Sequence, residues 1–249
     1  MDDYSLLIDL HRRAQRQGPG GELETSKAIE LTGIDLSAPI KLADIGCGTG
    51  ASTLVLAQSL NAQITAIDFL ADFIEELETR AESFGLSDRI TPLVCSMDNL
   101  PFNKGELDVI WAEGSIYNMG FETGINNWKQ FLKPGGLLVV SEITWLTSSR
   151  PSEIQRHWET EYPGIGTASE KFNALESSGY SPVAYFTLPE SCWLDNYYRP
   201  LQKRFADFLN RHEGSEEAQA LLRIEEEEIS LYERYKAYYS YGMYIARKL

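Results

Sequence analysis

The stretch Lys41-Leu42-Ala43-Asp44-Ile45-Gly46-Cys47-Gly48-Thr49-Gly50-Ala51-Ser52 constrains the fold of this chain more than any other. Alternating and β-branched apolar residues run into glycines at every second position, and a helix-forming run, Thr53 to Leu60, follows at once. Strand, tight turn and helix are implied, with side chains absent where the backbone approaches a ligand. The glycines fit more than one fingerprint. Gly46-x-Gly48-x-x-Ala51 matches the dinucleotide-binding pattern, which permits Ala at its last place. Gly46-x-Gly48-x-Gly50, with Asp44 two residues ahead, is a different pattern. A purely structural glycine turn in another α/β protein is the third reading.

The following elements narrow the choice. Gln63 to Asp68 reads as a second strand ending in an acid. One βαβ unit results, and its geometry puts that acid where a ribose would lie. The bland alternative is a helix N-terminal acid before Leu70, favourable for the dipole alone. Leu70, Phe73, Ile74, Leu77, Ala81 and Phe84 then follow helical spacing, closed by Gly85. Arg89 to Cys95 is a third strand, and Pro92 within it suggests a sheet edge. Ser96-Met97-Asp98-Asn99-Leu100-Pro101-Phe102 follows, with an acid that an Asx-type turn would also explain. Glu106 to Glu113 is a fourth strand, continued by Gly114-Ser115-Ile116-Tyr117. A helix through Ile125, Trp128 and Leu132 ends at Lys133-Pro134-Gly135-Gly136, ahead of an apolar strand, Leu137 to Ile143.

Four motifs thus stand in order: Asp44-Ile45-Gly46-Cys47-Gly48-Thr49-Gly50, Asp68, Met97 to Phe102, and Leu132-Lys133-Pro134-Gly135-Gly136. Together they resemble class I S-adenosylmethionine (SAM) methyltransferases. The style is closest to the small-molecule group that includes ubiquinone/menaquinone-biosynthesis and sterol methyltransferases. The resemblance implies an α/β fold: a doubly wound, seven-stranded, mostly parallel Rossmann-like sheet whose last strand is antiparallel. It implies SAM as cofactor, leaving S-adenosylhomocysteine. The residues expected to hold it are Asp44, Gly46, Cys47, Gly48, Gly50, Asp68, Phe69, Met97, Asp98, Asn99, Glu113 and Gly114. Asp98 would accept from the adenine amine and Asp68 from the ribose. The Pro-Pro motif of nucleic-acid amino-methyltransferases is missing after Glu113, so the expected acceptor is a small molecule. An NAD(P)-dependent oxidoreductase and a non-catalytic SAM-binding protein are the alternatives.

Composition adds exclusions. The net charge of −15 repels nucleic acid and anionic membranes over long range. Cys47, Cys95 and Cys192 are widely spaced, which argues against disulfides or a zinc site, and no metal is expected. Met1-Asp2-Asp3-Tyr4 lacks the basic start and apolar core of a secretion signal, so the expected location is cytoplasmic. No oligomeric state follows from the sequence.

The remaining chain is expected to finish the sheet. A helix over residues 4–17 and the breaker Gly18-Pro19-Gly20-Gly21 make a candidate lid, followed by a helix from Glu22 to Thr32 capped by Gly33. Residues 169–178 read as a helix, Tyr180 to Leu188 as strand six, and 238–246 as the last strand. Pro189 to Lys236 is helical by pattern, and its Glu225–Glu228 run reads as a solvated face. The expected division is a helical cap or lid over 1–36, a SAM-binding Rossmann-like domain over 37–188, a helical insertion over 189–237, and the last strand over 238–249. Near the methyl group the candidates are Glu113 as base and Tyr117, with Glu142 and Trp145 at strand ends as acceptor-binding residues. Trp193, Tyr197 and Tyr198 form an aromatic cluster that could line an acceptor pocket, cradle a cationic amine, or be core. His11 and His157 have no evident partner and read as surface or packing residues.

Overall fold

The computed structural model describes residues 4–249; the first three residues lie outside the described part. The opening βαβ unit is β1 (Ile40–Ile45), α3 (Ala51–Ser59) and β2 (Ala62–Asp68). Then come α4 (Ala71–Ser83), β3 (Ile90–Val94), β4 (Leu107–Ala112), α5 (Phe121–Lys129) and β5 (Leu132–Trp145). The sheet runs β3-β2-β1-β4-β5-β8-β7, where β7 is Tyr180–Thr187 and β8 is Tyr239–Lys248. The pairs β1·β2, β2·β3, β1·β4 and β4·β5 are parallel; β8 lies antiparallel between β5 and β7. Strand order reverses between β1 and β4, the place where an open α/β sheet leaves a crevice at its carboxyl edge. Pro92 sits in the edge strand β3, where its missing N–H costs no ladder bond on the open side.

Alternation along the strands feeds two cores. Leu42, Ile64, Val109 and Val139 point to one face, and Ala43, Ile67, Ile110 and Leu138 to the other. Helices α2 (Glu22–Thr32), α3 and α4 cover the first face, whereas α5 and α7 (Ala168–Ser177) cover the second. Gly33 closes α2 in the left-handed region at φ 68°, as the sequence predicts.

Several elements differ from the sequence reading. Helix α1 spans only Ser5–His11 instead of running to residue 17. Beyond it the chain folds back, because Gln17 Nε2 donates to the carbonyls of His11 and Ala14 and so stabilises a non-helical turn. Strand β5 begins at Leu132, five residues early, since Leu132 already pairs with Leu107 before the Pro134-Gly135 irregularity. A helix, α6 (Ser152–Glu161), and a two-residue strand, β6 (Gly166–Thr167), which pairs with β5, were not legible. The segment after β7 is helical throughout: α8 (Glu190–Trp193), a π turn (Leu194–Tyr198), α9 (Arg199–Gln202), α10 (Phe205–Arg211) and α11 (Glu216–Tyr235).

Glu142, expected at a strand end near the acceptor, is instead fully buried in mid-β5 against Lys171 Nζ at 3.0 Å. Burial raises its carboxyl above the usual range, and the ammonium of Lys171 opposes that rise. Lys171 Nζ also donates to the Gly164 carbonyl at 2.7 Å. Breaking such a pair strands a buried charge. Lys171→Met is therefore expected to lower stability by about 3–5 kcal/mol in urea unfolding. A loss under about 1 kcal/mol, the range of an exposed pair, would show that Glu142 does not depend on Lys171.

Candidate active site

All three motif glycines adopt positive φ: Gly46 at 72°, Gly48 at 55° and Gly50 at 88°. Each also lies against a neighbour that a Cβ would strike: Ser115 at Gly46, Gln17 at Gly48 and Leu77 at Gly50. The turn is bare for two reasons, dihedral and steric, and both hold before any ligand is considered. Asp68, at the end of β2, reaches across to it. Its Oδ2 accepts from Gly48 N at 2.9 Å and its Oδ1 from Leu70 N at 3.0 Å. The acid therefore serves both the turn and the start of α4. Burial raises its pKa, and the backbone N–H donors counter that rise.

Asp44 lies behind the turn with no exposure. Oδ2 accepts from Ser52 Oγ at 3.0 Å and Thr53 Oγ1 at 2.7 Å, which pins α3 to β1. Its position is structural, and neither Asp44 nor Gly50 lines the cavity described below.

Glu113 follows β4 and accepts from three donors. Thr25 Oγ1 lies at 2.7 Å, Trp111 Nε1 at 2.9 Å and Arg16 Nη2 at 2.7 Å. Both charged side chains are nearly buried, at 11 % and 6 % exposure. These three donors make the carboxylate an anchor, while it also lines the cavity described below with one acceptor site of Oε2 unused. What it anchors is the N-terminal segment. Gln17 adds contacts to Thr49, accepting from Thr49 N at 2.9 Å. Arg80 donates to the carbonyl of Ala14 at 2.8 Å, and Arg12 pairs with Asp72 at 2.6 Å.

Under this segment, at the carboxyl ends of β1, β2 and β4, lies a cavity of ≈ 620 Å³. Of the residues singled out in the sequence, Gly46, Cys47, Gly48, Asp68 and Phe69 line it, with Met97 and Asp98. Glu113, Gly114, Tyr117 and Tyr197 complete that set. Asn99 lies outside the wall. So do Glu142, Trp145 and Trp193, which were expected to face the acceptor. Trp145 packs in the core beneath Arg150, whose guanidinium sits 4.0 Å from its ring centroid. Trp193 is stacked between Tyr232, at 4.3 Å, and Tyr241, at 5.3 Å, and donates to Ser240 Oγ. The π turn after it places Tyr197 in the cavity wall and Tyr198 beside the tryptophan.

The lining also includes residues that the sequence did not single out for the site, among them the ionisable His11, Arg16, Glu225 and Glu228. The solvated-face reading holds for Glu226, Glu227 and Glu228, which are exposed, and fails for Glu225. Glu225 is 7 % exposed, and Glu228 opens onto the cavity and accepts from Tyr198 Oη at 2.8 Å. A signal was present. Leu222, Glu225, Ile229 and Tyr232 fall at spacings of three, four and three, on one buried stripe of α11.

Fold and cavity together define a Rossmann-like sheet of the methyltransferase type, with a ligand crevice over its first turn. Residues 42–136 match the family described as a methyltransferase domain. The chain is 30 % identical over 124 residues to Methyltransferase GfsG of Streptomyces halstedii, covering 49 % of this chain and 44 % of that protein. Among solved structures it superposes on a SAM-dependent methyltransferase from Thiobacillus denitrificans in complex with S-adenosylhomocysteine. There the TM-score is 0.86 at 18 % identity, covering all of both chains. It also superposes on the [4+2]-cyclase SpnF, with TM-score 0.78 and 23 % identity over 98 % of this chain and 92 % of that one. None of the helices among the described residues is long and apolar enough to cross a membrane.

Asp44 supplies a pH test. Burial lifts its carboxyl to about 7 from 3.8, against the Thr53 and Ser52 hydroxyls that favour the ionised form. The folded chain holds a proton that the unfolded chain has lost. This contribution to stability is complete below pH 3.8 and is lost as pH rises through about 7. Asp44→Asn removes the loss, so its stability relative to the parent should rise across that window by up to ~4 kcal/mol. Urea unfolding at a series of pH values measures it. A difference that does not vary with pH would show Asp44 to be ionised throughout.

Proposed function

We propose that this chain is a SAM-dependent methyltransferase acting on a small-molecule acceptor by in-line displacement. The observation that carries this reading is Asp68 bound to the bare Gly46–Gly50 turn at the floor of a cavity at the strand reversal. The cavity suits the donor: ≈ 620 Å³ falls within the range of about 300–1,000 Å³ usual for small-ligand sites. The lining residues fit its parts. Asp68 accepts from the ribose hydroxyls, with oxygen lone pairs left over from its two backbone bonds. Met97 and Asp98 border the adenine, with Asp98 accepting from its amine. Gly46, Cys47, Gly48 and Gly114 allow close backbone approach, while Asp44 and Gly50 support the turn from behind.

The donor carries its own activation, as a sulfonium that releases methyl to a nucleophile. This chain's residues therefore align and enclose. The segment clasped by Arg16 and Glu113 closes the crevice and excludes water. Loss of hydration holds the Tyr117 hydroxyl above the ordinary phenol range, so it stays protonated and offers a hydrogen bond, not a proton, to a bound ligand. The motif style resembles the small-molecule group that includes the ubiquinone/menaquinone-biosynthesis and sterol methyltransferases, and a shared scaffold does not fix the acceptor.

Calorimetry with SAM and S-adenosylhomocysteine tests the reading. Saturable binding of both is expected, and silence at millimolar ligand would end it. The likeness to a cyclase makes a methyl-transfer assay the second requirement, because a shared fold does not fix the reaction. Asp68→Ala should weaken SAM binding by at least roughly tenfold, about 1.4 kcal/mol, while circular dichroism stays that of the parent. Undiminished affinity would remove Asp68 from the ribose.

A further inference from the structure

One part of the cavity wall is built from elements outside the four sequence motifs. Helix α1 contributes His11, the π turn contributes Tyr197, and α11 contributes Glu225 and Glu228. His11 and Glu225 are 5 % and 7 % exposed. His11 Nε2 lies 3.3 Å from Glu225 Oε1, yet Glu225 Oε2 and His11 Nδ1 have no hydrogen-bond partner. The His11 ring stacks on Tyr197 with centroids 6.3 Å apart. Glu228 faces the cavity from an exposed position, and the loss of part of its hydration there, with the neighbouring charge of Glu225, raises its carboxyl above the usual range. Among the described lining residues the cationic candidates are Arg16 and His11. Arg16 is already matched by Glu113 at 2.7 Å. One imidazole thus faces two carboxylates in a wall that includes Tyr117 and Tyr197, and the buried Glu225 keeps an oxygen without a partner.

We propose that this part of the cavity binds the methyl acceptor, and that the acceptor is a small basic amine whose nitrogen sits against Glu225 and Glu228 beside the rings of Tyr117 and Tyr197. The proposal rests on the methyltransferase reading and adds a substrate class to it. The amine lone pair forms the new N–C bond, the C–S bond breaks, and its electron pair stays on sulfur. Positive charge therefore moves from sulfur to nitrogen. An acceptor arriving as ammonium first gives a proton to water. Fixed carboxylates beside the nitrogen stabilise the charge that develops there, and aromatic faces favour the same cation. Anionic acceptors are repelled by the same pair.

The test uses the full chain saturated with S-adenosylhomocysteine, titrated calorimetrically with choline and with its neutral isostere, 3,3-dimethylbutan-1-ol. Choline should bind at least roughly tenfold more tightly. Glu225→Gln and Glu228→Gln should each cut that preference below about threefold while affinity for S-adenosylhomocysteine stays within about twofold. Equal binding of the two probes, or silence from choline, would overturn the amine proposal and leave methyl transfer standing. Loss of S-adenosylhomocysteine affinity in both variants would also overturn it, by assigning the carboxylates to the cofactor. Failure of the parent chain to bind S-adenosylhomocysteine would instead overturn the methyltransferase reading itself.

Discussion

The bond from Gly48 N–H to the Asp68 carboxylate joins the two halves of the opening βαβ unit at the point where the sheet reverses. It requires a turn that only glycine adopts without strain, because Gly46, Gly48 and Gly50 all lie at positive φ with neighbours where a Cβ would be. It also requires a carboxylate held partly out of water, and the Leu70 N–H shares that load. With turn and acid tied, the carboxyl ends of β1, β2 and β4 enclose one space. Ser115 packs against Gly46 and donates to the Ile45 carbonyl, so β4 is drawn into the same arrangement.

That space is roofed by parts of the chain remote from one another. Residues 11–18 cross over the turn, held by Glu113 below and by Thr49 and Arg80 at the sides. Helix α10 and its flanking residues meet the first helix: Arg211 and His212 both contact Asp9, and Arg204 donates to the Leu10 carbonyl. Glu113 carries most of the charge of this closure. Its three donors come from α2, β4 and the N-terminal segment, so its role is architectural although it stands where a base would be sought. A structure that seals its crevice with an ion pair of low exposure can exclude water around a reacting centre without a bulky domain.

Legibility in the sequence followed range of interaction. Elements whose signals are local were readable: α2 with its Gly33 cap, the strands β1 and β2, and the edge strand with Pro92, whereas the antiparallel direction of β8 followed from the family resemblance. Helix α1 was overextended because its stop is a side chain, Gln17, bonding back to carbonyls, which periodicity does not register. Glu142 was placed at a strand end because Lys171, its partner, is 29 residues away and nothing in β5 announces it. Trp193 was taken for a possible pocket wall, while stacking between Tyr232 and Tyr241 makes it core. Glu225 was read as part of a charged run, although it shares the buried stripe of α11.

The sequence by itself determined the sheet, its turn of glycines and the acid that follows β2, because dihedral preference, apolar alternation and turn chemistry act over a few residues. Only the tertiary structure decided what each acid meets. Glu113 is tied to Arg16, Thr25 and Trp111 and Glu142 to Lys171, while Glu225 reaches a cavity from a buried stripe and Glu228 from an exposed position. Those outcomes depend on burial and on partners brought together across the chain, and neither is a property of a residue and its neighbours in sequence.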